Sequence, residues 1–116
     1  MAYNNFSINR QQKEDKEREN KITIDMGKLL KEVRERIDVT VDSIAKKKII
    51  NRSTIYNIEN GIAFPADTTL QKLLDEYSFL MTKEELSDIK NWHNEIKSIR
   101  LARKNENKKQ TLGWRG

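Results

Sequence analysis

The 116-residue chain contains no cysteine, one histidine, one proline and four glycines. Without cysteine it cannot hold a disulfide framework, a zinc finger, an iron–sulfur cluster or a thiol nucleophile. A single histidine excludes a metal site that needs two. The chain also lacks a glycine-rich phosphate loop and a Ser/His/Asp set. We therefore expect neither an enzyme nor a cofactor.

Long hydrophobic runs are also missing. No segment approaches the roughly 18–20 apolar residues of a membrane span, and the N-terminus is too polar for a signal peptide. We expect a soluble, cytoplasmic protein with no membrane partner.

Charge is abundant, with 23 Lys and Arg against 18 Asp and Glu, but it is unevenly distributed. Residues 22–81 carry nine charges of each sign, and 27 of these 60 residues are hydrophobic, as in a globular domain. The positive excess lies mainly in residues 82–116, with six cations between Lys97 and Lys109. This distribution predicts a globular domain at 22–81, a C-terminal helix at 82–105 and a basic tail at 106–116.

Residues 9–21 contain no apolar side chain. Such a segment has helix-forming residues but no face to bury. We predict that residues 1–21 form a flexible polar arm, or a frayed helix that projects into solvent.

Apolar residues in the domain recur every three or four positions, which is typical of amphipathic helices. The pattern predicts five helices: one over about 24–37, one from Val41 to about Lys48, one between Asn51 and Gly61, one following Asp67, and one from Lys83 to about Lys104. The expected fold is an all-α bundle of five helices.

Helix starts are marked by capping residues. Thr40 and Asn51 are good N-caps, and Thr82 with Glu85 has the spacing of a capping box. Hydrophobic staples are predicted for three pairs, namely Val39 with Ile44, Ile50 with Ile55, and Met81 with Leu86.

The run from Thr40 to Gly61 reads TVDSIAKKKIINRSTIYNIENG. It resembles the helix-turn-helix of the lambda-repressor-like family, also called the Cro/CI or XRE type. The resemblance rests on Thr40, on Ile44-Ala45, on the segment 51–55 and on the Ile-Glu-Asn-Gly ending at Gly61, and it covers roughly residues 24–80. It implies a DNA-binding regulator that places the N-terminal end of its third helix in the major groove.

Because Ile55 and Ile58 face the core, the remaining side chains of the third helix face outward. Arg can bind guanine through two hydrogen bonds, and Asn can bind adenine in the same way. The expected base contacts are Arg52, Ser53, Tyr56 and Asn57. The expected backbone contacts are Thr40, Lys46, Lys47, Asn51, Thr54 and Asn60, with Lys48 adding positive charge beside them.

The resemblance also implies that Arg34 and Glu59 form an internal ion pair rather than a catalytic pair. Four positions depart from the family. Val41 stands where a phosphate-binding Gln is common, and Asp38 where the first helix often ends in Gly. Lys48 and Ile49 stand where the turn usually has an apolar residue followed by Gly. A β-branched residue is strained at positive φ, so we expect Ile49 to avoid the glycine conformation, with a longer second helix or a turn of different shape.

The fifth helix carries an apolar stripe. The stripe either packs back on the domain or pairs with a second subunit, and we favour a homodimer. The expected dimerisation residues are Leu86, Ile89, Trp92, Ile96 and Ile99. His93, on the same helix, is expected at a surface or interface and not at a metal.

Three functions stay open. The first is a sequence-specific repressor from a bacterium, phage or plasmid that binds double-stranded DNA as a dimer, associated with the nucleoid. The second is an antitoxin of the same fold, which also binds a toxin, with the C-terminal helix available to a protein partner. The third is a protein-interaction module that does not bind DNA.

Overall fold

The computed structural model describes the backbone of residues 2–115 and the side chains of residues 10–105. Within these residues the protein is all-α, as predicted, with helices α1 (Ala2–Arg36), α2 (Val41–Lys48), α3 (Arg52–Glu59), α4 (Asp67–Tyr77) and α5 (Lys83–Arg115). A short 3-10 helix, Ser78–Leu80, joins α4 to α5.

Helices α2, α3 and α5 begin where their capping residues predict. The side chain of Thr40 accepts a hydrogen bond from the Ser43 amide at the start of α2. Thr82 and Glu85 form the reciprocal capping box at the start of α5, with distances of 2.9 and 3.1 Å. These bonds satisfy amide groups that have no partner within their own helix. The predicted bounds of α2 are confirmed, and α3 occupies the predicted interval.

The two long helices extend further than predicted. α1 starts at Ala2 rather than near residue 24, and α5 continues to Arg115 rather than ending near residue 104. They run antiparallel, because Arg36 pairs with Glu85 at one end of the contact and Glu19 pairs with Arg103 at the other. Arg18 also pairs with Glu95. The C-terminal part of the polar segment 9–21 therefore lies against α5, and the flexibility of the arm stays a prediction.

The core lies between α1 and the four later helices. Its buried apolar side chains come from every α-helix and from the α2–α3 turn, and they are Met26, Leu30, Val33, Val41, Ile44, Ile50, Ile55, Ile58, Leu70, Leu73, Tyr77 and Ile89. α1 crosses the end of α3 at Gly27, where an added Cβ would lie 2.1 Å from the carbonyl oxygen of Ile58. Only glycine allows the two helices to approach this closely.

The turn between α2 and α3 contradicts our expectation for Ile49. Ile49 adopts the left-handed conformation, with φ 55° and ψ 53°, and α2 ends at Lys48. The reason is the next residue. Ile50 is buried in the core, and its amide donates to the carbonyl of Ala45. The chain must reverse at Ile49 to bring Ile50 inward, so packing overrides the local preference of a β-branched residue.

Asp38 adopts the same left-handed conformation after α1, with φ 56°. Asp tolerates this region better than β-branched residues do, because its short polar side chain can bond locally. Asp38 therefore adopts, without glycine, the left-handed conformation that follows α1.

Candidate nucleic-acid interface

α3 has an inward and an outward face. Ile55 and Ile58 are 1% and 2% exposed and hold the helix on the core. The four predicted base-contacting residues are all exposed on the opposite side or at the N-terminal end: Arg52, Ser53, Tyr56 and Asn57. The structure thus brings together a continuous polar surface of the kind that can read base edges in a major groove.

Capping partly occupies Ser53 of this surface and the neighbouring N-cap residue Asn51. The Asn51 side chain accepts hydrogen bonds from the amide of Ser53, at 3.0 Å, and from its hydroxyl, at 2.8 Å. This arrangement fixes the first turn of α3. It also directs the Ser53 hydroxyl proton toward Asn51. The hydroxyl oxygen can still accept a hydrogen bond from a base amino group, but the hydroxyl has no proton left to donate to a phosphate.

The start of α2 offers few hydrogen-bonding groups to a phosphate. Val41 is only 4% exposed and belongs to the core. An apolar residue at this position has no hydrogen bond to offer a phosphate. Thr40 is exposed, and its hydroxyl oxygen accepts from the Ser43 amide, which leaves the hydroxyl proton available to donate to a phosphate.

Arg52 has a partner that sequence reasoning missed. Its Nη1 donates to Oδ1 of Asp42, in the first turn of α2, at 2.9 Å. This hydrogen bond raises the pKa of the Arg52 guanidinium, so the group stays charged. The two residues lie on different helices ten positions apart, and no helical period links them.

The lysines at the end of α2 are also engaged. Glu76 of α4 binds Nζ of Lys47 at 3.0 Å and Nζ of Lys48 at 3.1 Å. The hydrogen bond from Lys47, and then that from Lys48, lowers the pKa of Glu76. Lys46 and Lys47 are exposed, whereas the side chain of Lys48 is only 23% exposed. Sequence reasoning counted three cations here and did not include the carboxylate that binds two of them.

Arg34 of α1 and Glu59 of α3 form an ion pair that is joined by two hydrogen bonds. The guanidinium donates to both carboxylate oxygens, at 2.7 and 3.0 Å, and to the carbonyl of Val39 at 2.8 Å. The hydrogen bond with Glu59 raises the pKa of Arg34. The pair ties the end of α3 to α1 and to the loop that precedes α2, so it has a structural role.

Tyr77 of α4 is buried near this ion pair. Burial, and then the negative charge of Glu59, raises the pKa of its phenol. Among the described residues, its hydroxyl has no hydrogen-bond partner. Tyr77 therefore stays neutral at physiological pH and acts as a core residue.

The apolar stripe of α5 packs within the chain. Ile89 and Ile96 are each 1% exposed, while Leu86, Trp92 and Ile99 are half-buried. Ile89 and Trp92 belong to or pack against the main core. This is the simpler of the two predicted arrangements, and it leaves Ile89 and Ile96 unavailable to a second subunit.

Part of the C-terminal basic run is engaged inside the chain as well. Lys97 and His93 both bind Asp67, at 3.1 and 2.6 Å. These two hydrogen bonds, that of His93 first, lower the pKa of Asp67. Arg100 lies over the ring of Phe64, on which His93 also stacks. The side chains of the predicted tail, residues 106–116, lie outside the described residues.

Over the described residues, no group of His, Asp and Glu side chains is arranged to hold a metal ion. Within the same part of the chain, no helix is both long enough and apolar enough to cross a bilayer.

Comparison with known families matches residues 30–78 to a family model described as Helix-turn-helix. The match spans α2, α3 and α4 together with the last turns of α1. Searches of curated proteins and of solved structures found no match.

Proposed function

We propose that this protein, whose residues 30–78 form a helix-turn-helix domain of the XRE, lambda-repressor-like family, is a sequence-specific repressor that binds its operator as a dimer. The family itself indicates a DNA-binding transcription regulator. The observation that carries the finer proposal is the outward face of α3. Its side chains are exposed and suited to base recognition, and buried Ile55 and Ile58 fix its orientation.

In this proposal α3 enters the major groove by its N-terminal end. Arg52 donates two hydrogen bonds to a guanine, Asn57 pairs with an adenine, and Tyr56 contacts a thymine methyl or a phosphate. The DNA phosphates on either side of the recognised bases are bound by residues that flank the outward face of α3, namely Thr40, Lys46, Lys47, Asn51, Thr54 and Asn60.

The lysines support DNA binding through their accessibility. Lys46 and Lys47 are exposed, and a surface ion pair such as that of Lys47 with Glu76 is weak enough to exchange for a phosphate. Residues 22–81 carry equal numbers of positive and negative side chains, so the capacity to bind a polyanion depends on where the exposed lysines lie and not on the net charge.

A dimer would place two α3 helices on half-sites about 34 Å apart, one turn of DNA. Its interface uses the surface that α5 leaves accessible, around half-buried Leu86, Trp92 and Ile99. The dimer would then repress by covering promoter DNA.

Selection of bound DNA from a random pool, with the full-length protein, tests this function. We expect enrichment of an inverted repeat with half-sites about 10 base pairs apart, centre to centre. Absence of any enriched sequence would overturn the proposal and favour the interaction module. An enriched single half-site would overturn the dimer alone.

The selected duplex then tests the residue assignments. Arg52→Ala is expected to weaken binding roughly 5- to 150-fold and to relax the preference at one base. Arg10→Ala, which removes the same charge from exposed α1, is the matched control and should bind like the wild type. Lys46→Ala should weaken binding to every sequence and reduce the salt slope by about one. Equal affinities of the Arg52 variant and the control would remove Arg52 from the base contacts.

A further inference from the structure

The Asp42–Arg52 pair is unusual for a surface that is proposed to meet DNA. Both side chains are well exposed, at 66% and 63%. Exposed ion pairs contribute little to stability, so the pair is not explained by folding. A carboxylate close to DNA phosphates also opposes binding, because it adds a like charge where the protein needs cations.

The geometry gives the carboxylate a different use. A guanidinium has five N–H donors in a rigid plane. The contact to Asp42 involves only Nη1, so the other donors remain. Two of them suffice for the O6 and N7 atoms of guanine. Asp42 therefore restricts the torsions of a long, flexible side chain without using up the groups that read the base.

The position of Asp42 suits this role. It lies in the first turn of α2, and Arg52 is the first residue of α3. Each helix is fixed by its own N-cap, Thr40 or Asn51, and by buried side chains such as Ile44 and Ile55. The carboxylate is thus carried by one rigid helix and aimed at the guanidinium carried by the other.

We propose that Asp42 is a positioning residue that holds the Arg52 guanidinium for guanine and so sets base specificity at that position, at a cost in overall DNA affinity. This inference rests on the proposed function. It predicts that specificity and affinity respond to Asp42 in opposite directions.

The test compares Asp42→Ala and Asp42→Glu with Asp75→Ala. Asp75 is an exposed carboxylate on α4 that accepts a hydrogen bond from Gln71, so its variant removes the same charge away from Arg52. Each full-length protein is titrated with the selected duplex, with duplexes altered at the guanine assigned to Arg52, and with unrelated DNA at two salt concentrations.

For the wild type we expect a preference for that guanine of roughly 5- to 150-fold. Asp42→Ala should reduce the preference at least about threefold while binding unrelated DNA as tightly as the wild type or more tightly. Asp42→Glu, which keeps the charge, should recover part of the preference. Asp75→Ala should leave it unchanged.

A double variant separates positioning from a general charge effect. In the Arg52→Ala background, Asp42→Ala should no longer alter the base preference, because its effect acts through the guanidinium. An unchanged preference in the single Asp42→Ala variant, or an equal loss with and without Arg52, would overturn the inference and leave the proposed function standing. Absence of any base preference in the wild type would overturn both.

Discussion

α1 makes two contrasting junctions within one fold. Against α3, its Gly27 approaches the backbone of Ile58 and its Arg34 forms the nearly buried pair with Glu59. On the side of α5, Ile22 of α1 and Ile96 of α5 are buried, and the Arg18–Glu95 and Arg36–Glu85 pairs lie nearer to solvent. In the first junction, replacing any one of these residues alone would disrupt the contact. The second depends on a few apolar side chains, and its charges contribute little each.

The contrast has a functional consequence. The α1–α3 junction fixes the helix that we propose to read DNA, and a shift of that helix would move every base contact. The α1–α5 junction lies along the other side of α1 and supports the domain from there. We therefore expect the first to control DNA recognition and the second to control stability alone.

The largest effect is expected from breaking the first junction. Arg34→Ala leaves Glu59, whose side chain is 5% exposed, as an uncompensated buried charge. We expect a loss of about 3 kcal/mol in the free energy of unfolding, measured by urea denaturation. Replacing both partners, with Arg34→Met and Glu59→Leu, should recover most of it. A loss below about 1 kcal/mol in the single variant would show that the pair is not buried as described.

The second junction is broken by Ile96→Ala. Ile96 is 1% exposed on α5, and its truncation should cost about 2 to 3 kcal/mol of unfolding free energy. Leu101→Ala is the control, because Leu101 is 59% exposed on the same helix and should change stability by no more than about 0.5 kcal/mol. Equal results for the two variants would mean that α5 does not pack on α1.

Ile49 sharpens the comparison between the two junctions. It lies in the turn that leads into α3, on the side of the first junction, and its backbone is strained. Its left-handed backbone costs a β-branched residue about 1–2 kcal/mol, and its side chain, 87% exposed, recovers little of this by burial. Ile49→Gly should therefore raise the free energy of unfolding, by about 1 kcal/mol after the entropy of glycine is subtracted. Ile49→Ala tests the backbone at lower flexibility, and it should remain less stable than the glycine variant. Thermal melts of the three proteins measure the order, and a glycine variant below the wild type would contradict it.

The smallest effect is expected from the charges of the second junction. The hydrogen bonds from Arg36 and from the Thr82 amide lower the pKa of Glu85 from 4.5 to about 2. A carboxylate with a lowered pKa stabilises the fold fully above its ordinary pKa and loses this contribution as the pH falls toward the folded value. Stability should therefore decline between about pH 4.5 and 2, and Glu85→Gln should flatten that part of the profile. Glu84→Gln, at the neighbouring position, should keep the decline, and an identical profile for both variants would argue against the Arg36–Glu85 pair.

The elements of the first junction, α3 and its contacts with α1, could be predicted well from the sequence. Apolar spacing and capping residues locate α2 and α3, and the family resemblance supplied the Arg34–Glu59 pair. Local rules failed at Ile49, where the burial of Ile50 decides the backbone. They also did not connect Asp42 with Arg52 or Glu76 with Lys47, because those pairs join different helices.

The second junction could be predicted only in part. The stripe that includes Ile89 and Ile96 is visible in the sequence, but its pattern fits both a dimer interface, which we favoured, and an internal contact. Residues 9–21 have no apolar face, so nothing in their pattern indicates a partner, and the ion pairs of Arg18 and Glu19 depend on where α5 lies. The net charge of +5 was similarly ambiguous, since Lys97 and Arg103 bind carboxylates of the same chain.

We expect the α1–α3 junction to control DNA recognition and the α1–α5 junction to control stability. The most direct test is to map the DNA-bound surface from the amide chemical shifts of the full-length protein. A duplex carrying the selected sequence is titrated into the protein, with an unrelated duplex as reference. We predict the largest sequence-dependent shifts at residues 40–60 and small shifts where α1 and α5 pair, at residues 18–23 and 95–103. Largest shifts along the α1–α5 pair, with α3 unaffected, would contradict this prediction.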